Sequence, residues 1–161
     1  MTFNHDISII PSENNTGYTP KTDLFKEWVN STLQNHIAQP ISMSLCIVND
    51  ITIQEYNFQY RKKNQPTNVL SFRSDIPSEA LEQLGLTHHP LGDVLLCESI
   101  INSEAHIQNK DPKAHWAHMI IHGTLHLLGY DHIEEKDAHI MEQYETELLE
   151  KFNFQNPYLH F

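Results

Sequence analysis

The chain has 161 residues, 39% hydrophobic and 19% charged, which is enough for one domain with a sizeable core. Its formal net charge of −11 excludes a generally basic nucleic-acid binder and a protein that adheres to anionic membranes. Two cysteines, Cys46 and Cys97, cannot build a disulfide framework. With no secretory signal over residues 1–10 and no run approaching about 18 apolar residues, they read as reduced thiols of a cytoplasmic protein that does not span a membrane.

Residues 6–10, with Ile7, Ile9 and Ile10, predict a first strand, followed by a polar loop over 11–18. Pro20 opens a helix whose Leu24, Phe25, Trp28 and Leu33 form one stripe. Met43, Leu45 and Ile47 alternate with Ser42, Ser44 and Cys46, the period of a strand. Asn49-Asp50 caps the next helix, with Ile53, Tyr56 and Tyr60 on one side and Pro66 as its stop. A third strand is predicted over 69–72, then a long connection over 74–90 with one helical turn. Val94-Leu95-Leu96 reads as a short fourth strand, and 99–107 as a helix.

Asp111-Pro112 combines an N-cap acceptor with proline at the first helical position. That helix runs to Leu128 and stops at Gly129, the residue suited to a left-handed C-cap. A last amphipathic helix covers 134–151 through Ile140, Tyr144 and Leu148, and the aromatic tail 153–161 is either frayed or docked by packing. Strands at the front and helices at the back indicate an α+β fold, taken as a single domain over 1–161. It holds a small mixed sheet of about four strands and about five helices, with helix 112–128 at the centre.

Six of the twelve histidines lie between 115 and 139. Three form H-G-T-L-H-L-L-G-Y-D-H. His122 and His126 share a helix face, and Gly129 lets the chain fold back to deliver His132. Three neutral imidazoles with a fourth position open are the donor set of a catalytic zinc, which acidifies water and polarises phosphoryl or carbonyl oxygens. His118 extends the same row as a flanking residue, and His88, His89, His115 and His139 are expected to face solvent. The spacing resembles the metzincin peptidase signature, with Gly123 where those enzymes carry the glutamate that serves as general base. The metal geometry is kept and the peptidase proton acceptor is missing.

Residues 56–73 hold Arg61, Lys62, Lys63 and Arg73, no acid, and interleaved Tyr56, Phe58 and Tyr60. Such a segment binds phosphates and stacks on unpaired bases, or else is a solvated helix end with core tyrosines. Y-R-K-K-N-Q-P-T-N-V-L-S-F at 60–72, L-G-D-V-L-L-C at 91–97 and the histidine motif at 122–132 together resemble the bacterial YbeY family of endoribonucleases. The match runs from about residue 40 to 150. Asn64 departs from it, standing where many members carry an acid.

The resemblance implies a single-strand-specific, metal-dependent endoribonuclease acting in rRNA end maturation, at the 16S rRNA 3′ end, and in ribosome quality control. It implies one Zn²⁺ per chain on His122, His126 and His132, with Arg61 and His122 as catalytic residues. Lys62, Lys63 and Arg73 are the further RNA-binding candidates. Asp131 either orients a ligand histidine and handles protons or caps the last helix. The implied partners are rRNA, the small ribosomal subunit, one of its proteins and an assembly GTPase, and no membrane. The attacking group is open between water and the RNA 2′-OH. The rival readings are a metzincin-like zinc peptidase, with Glu98 or Glu104 replacing the missing carboxylate, and a non-catalytic ribosome-assembly factor.

The charge is unevenly spread. Residues 131–150 hold eight acids against Lys136, and 56–73 are purely basic. The acidic balance therefore leaves room for one focused anion site, with weak, salt-sensitive RNA affinity.

Overall fold

Strict alternation in the second strand, β2 (Ile41–Val48), decides the layering of the fold. Ile41, Met43, Leu45 and Ile47 are buried on one face, while Ser42, Ser44, Cys46 and Val48 are half-buried on the other. The structure is a computed structural model and describes residues 3–12 and 17–159. Part of the loop expected over 11–18, and the last two residues of the tail, lie outside the described residues.

In chain order β1 (Asp6–Ile10) is followed by α1 (Thr22–Leu33), β2, α2 (Asp50–Arg61), β3 (Val69–Arg73) and β4 (His89–Cys97). Then come α3 (Glu98–Ile107), α4 (Pro112–Leu127) and α5 (Glu135–Lys151). The described residues form a four-stranded mixed sheet of order β1-β2-β4-β3, and the fold is α+β as the sequence indicates. β1, β2 and β4 run parallel, and β3 lies antiparallel at the edge of β4. The main core fills one face. There the inward β2 residues, Val94 and Leu96 meet Phe25, Trp28 and Leu33 of α1, Ile101 of α3, Trp116, Ile120 and Leu125 of α4, and Met141 and Leu149 of α5. The other face carries α2, through a smaller cluster of Ile53, Leu70, Leu95 and Cys97 against which Ile100 of α3 also packs.

α4 is buried around nearly its whole circumference, as a central helix must be. Asp111 caps it by accepting from the Lys113 N–H at 3.1 Å, with Pro112 at the first helical position. It ends as expected. Gly129 takes φ +103°, its N–H returns to the His126 carbonyl (3.0 Å), and the Tyr130 N–H returns to Leu125 (3.1 Å).

Three expectations need correction and a fourth is refined. α2 stops at Arg61, well before Pro66, because Lys62 adopts a left-handed conformation (φ 61°) that closes the helix. The Lys62 N–H reaches Phe58 and the Lys63 N–H reaches Asn57. β4 begins at His89 rather than Val94, since its polar first half still pairs with β2 across an irregularity at Ser42/Met43. The helical turn in the 74–90 connection is a single 3-10 turn, Ser78–Ala80. His115 is buried and His88 and His89 are half-buried, while His139 is exposed. A histidine on an all-buried helix needs a partner, and His115 Nε2 has one in Glu104 Oε1 at 3.0 Å.

Glu104 also accepts from Asn68 Nδ2 at 3.0 Å, so one carboxylate ties α3 to α4 and to the start of β3. Burial pushes its pKa up. Hydrogen bonds from His115 and Asn68, with the charges of His115 and Lys110, override that and leave it below the ordinary value. A depressed carboxylate contributes stability above its unfolded pKa that disappears as pH falls through the folded one. Glu104→Gln is expected to unfold at lower denaturant than the wild type at neutral pH. The gap should close as titration proceeds below the carboxylate range, which equilibrium unfolding against pH will check.

Candidate metal centre and its groove

The four-residue spacing on α4 puts His122 and His126 one turn apart, and the turn after Gly129 returns His132 to them. One ligand atom from each of the three lies within 4.8 Å of the others. His122 Nε2 and His126 Nε2 are 3.1 Å apart, and the rings of His122 and His132 stack at 5.5 Å. Tetrahedral ligands at about 2.0–2.1 Å from an ion lie roughly 3.3 Å from one another, so the first pair is already at coordination spacing. Burial, then the neighbouring His122 and His132, push the His126 pKa down to about 4, so its imidazole is neutral at pH 7. Three imidazoles converging in this way suit a borderline-soft divalent ion.

The sequence reading missed the residue that organises this cluster. Glu145 of α5 is 1% exposed and has no lysine or arginine among its partners. Its Oε1 lies 2.9 Å from His122 Nδ1, and its Oε2 is shared by His118 Nε2 and the Tyr158 hydroxyl, the latter donating at 2.5 Å. Burial pushes Glu145 up, but hydrogen bonds from His118 and His122 outweigh it and hold the carboxyl at about 2. An ionised carboxylate there keeps the His122 proton on Nδ1 and leaves the Nε2 lone pair for a metal. A buried carboxylate with no lysine or arginine beside it is also what a nearby cation compensates. Among the described residues, His118, His122 and Glu145 form a second metal-capable group, but their facing atoms are already paired with one another. The signal in the sequence was an acid on the buried stripe of α5, four residues from both Met141 and Leu149.

The same contacts settle the tail. Phe154 packs edge-on against Trp28 at 6.2 Å and Tyr158 reaches Glu145, so the described part is docked. Burial, then the Glu145 charge, push the Tyr158 hydroxyl pKa far up.

Two adjoining clefts, of about 420 and 530 Å³, flank His126, and both are also lined by Arg61, Ser71 and Asp131. Arg61, at the end of α2, donates from Nη2 to the Ser71 carbonyl at 3.1 Å, which lays its guanidinium along the groove. Arg73 lines one cleft and Lys63 the other, whereas Lys62 lines neither and turns its Nζ to the Gln59 carbonyl. Asp131 accepts from the His132 backbone N–H at 2.7 Å and stays 3.9 Å from its ring. It does not cap α5, which starts after Glu134 with no side-chain cap. Gly123 faces the sheet, where an added Cβ would stand 2.7 Å from Val94 Cγ1 and 3.2 Å from Ser71 Oγ. A glutamate there has no room, and neither Glu98 nor Glu104 lines a cleft. The peptidase reading thus lacks its carboxylate.

This is an α+β domain with a histidine triad suited to a metal ion, set in a groove that Arg61 and Arg73 line. Residues 10–153 match the family model described as Endoribonuclease YbeY, and the chain belongs to that family. It is also similar to the solution structure of TM1509 from Thermotoga maritima. That likeness has a TM-score of 0.53 and 22% identity over 94% of this chain and 99% of that one, and is a likeness of fold.

Glu145→Gln is expected to weaken metal affinity by about 10- to 100-fold, the usual effect of removing the carboxylate behind a ligand histidine. Competition with a chromophoric chelator measures this, and unchanged affinity would show that Glu145 has no part in the site.

Proposed function

We propose that this chain is a single-strand-specific, metal-dependent endoribonuclease that matures rRNA ends, acts at the 16S rRNA 3′ end and serves ribosome quality control. Family membership supports an endoribonuclease role in rRNA processing. The observation that carries the proposal is the convergence of His122, His126 and His132 beside Arg61, which lines both clefts.

His122, His126 and His132 would hold one Zn²⁺. Bound there, the ion supplies positive charge to a phosphoryl oxygen and lowers the pKa of water. Glu145 fixes the tautomer of His122, and Asp131 holds the His132 backbone in the returning turn. Arg61 presents its remaining N–H groups to the phosphate that is cut, a planar fork that a lysine does not reproduce. Lys63 and Arg73 take flanking phosphates, and Lys62 contributes only long-range attraction. No helix of the described residues is long and apolar enough to cross a membrane. We place the enzyme in the cytoplasm with the small ribosomal subunit, one of its proteins and an assembly GTPase, which supply the targeting that a net charge of −11 does not.

Arg61→Ala is expected to lower cleavage of single-stranded precursor rRNA fragments by roughly 100-fold or more, the scale of losing one preorganised charge-stabilising group. Arg61→Lys should recover only part of it. Chelation should abolish wild-type cleavage and added Zn²⁺ should restore it. Undiminished cleavage by the chelated protein, or by Arg61→Ala, contradicts the reading.

A further inference from the structure

The function proposed above uses the basic residues of segment 56–73 but leaves its aromatic residues unexplained. Tyr56 and Tyr60 stand one turn apart on α2, with rings stacked 6.0 Å apart at 15°. Phe72 of β3 closes against both, edge-on to Tyr60 at 5.2 Å and tilted to Tyr56 at 6.0 Å. These tyrosines are not core residues, since Tyr56 is 40% and Tyr60 55% exposed. Their rings are braced on one side and open on the other. Leaving rings this exposed gives up apolar burial, and bracing them removes the rotamer freedom that a ligand would otherwise have to freeze.

Their position matters as much as their exposure. Tyr60 and Phe72 wall the smaller cleft together with Arg61, Arg73 and His126. The larger cleft, which also holds His122 and His132, has Lys63, Gln65, Thr67 and Asn68 and no phenyl, phenol or indole ring. The groove is therefore asymmetric: the histidine triad shares the larger cleft with ammonium and amide groups, phenyl and phenol rings line the smaller one, and Arg61 and His126 border both.

We propose that the Tyr60–Phe72 wall is a nucleobase subsite. The base of the nucleotide that flanks the cleaved linkage on that side stacks on Tyr60, and Arg73 holds that nucleotide's outer phosphate. Tyr56 and Phe72 position the Tyr60 ring. This rests on the single-strand endoribonuclease reading and adds a direction to it. A base inside a duplex is already stacked on both faces, so the subsite accepts unpaired nucleotides, and it accepts any base because every base has a π-face.

The test uses the full chain loaded with Zn²⁺. Fluorescence anisotropy measures binding of a 2′-O-methyl RNA octamer, intact and with a single abasic residue walked along it. Cleavage of the unmodified octamer locates the cut. Tyr60→Ala is expected to weaken binding about tenfold, and Tyr60→Phe to stay within about twofold of the wild type. In the wild type an abasic residue next to the cut on one side should cost about the same tenfold, the other side should tolerate it, and Tyr60→Ala should show no further loss. The abasic series in the wild type needs no substitution and is independent of any folding defect. Equal losses on both sides, or a Tyr60→Ala protein that binds within twofold of the wild type, overturn the subsite and assign the exposed rings to a protein contact. A wild type that binds no octamer, or binds duplex equally well, overturns the single-strand reading itself.

Discussion

A carboxylate taken out of water with no lysine or arginine beside it is among the more costly groups a small domain can bury, and Glu145 is such a group. Its two oxygens are shared among His118, His122 and Tyr158, which lie on the central helix and the docked tail. That arrangement explains several features together. It accounts for the burial of His118, for the tail folding back over α5, and for a His122 ring presented with one nitrogen protonated and the other free. A divalent ion held beside His122 would complete the charge balance and would link metal binding to the folding of α4 against α5 through one side chain.

The second constraint is the close approach of α4 to the edge of the sheet. Gly123 lets the helix backbone lie against Val94, Val69 and Ser71, and the Ser71 hydroxyl donates to the Gly123 carbonyl at 2.9 Å. The same serine's carbonyl receives Arg61. One residue of an edge strand thus sets the distance between the histidine helix and the arginine of α2. This is why a glycine stands where a similar zinc motif carries its proton acceptor. The position is spent on packing, and the chemistry depends on the groove that the packing creates.

How much of this was legible in the sequence depended on whether a residue's role is local. The alternation in β2, the Asp111-Pro112 start and the Gly129 stop are local signals, and each element appears where they place it. The histidine triad was legible because two members share a helix turn and the third follows a helix-stopping glycine. Glu145 was not, because in sequence it is one acid among the eight of residues 131–150. Only its place on the buried stripe separates it from its solvated neighbours, and its histidine partners are more than twenty positions away. His115 misled for the same reason, as its partner Glu104 comes from another helix. The end of α2 misled differently. Proline is the conspicuous stop, while Lys62 in a left-handed conformation carries no compositional mark.

In the proposed site the imidazoles of His122, His126 and His132 would bind one ion, with Glu145 behind them and not on the metal. X-ray absorption at the zinc edge of the loaded protein counts ligands by type and tests this most directly. The result expected is three imidazole nitrogens in the wild type and two in His132→Ala. A first coordination sphere with fewer imidazoles and a carboxylate unaffected by loss of His132 would place the ion on His118, His122 and Glu145 and contradict the account.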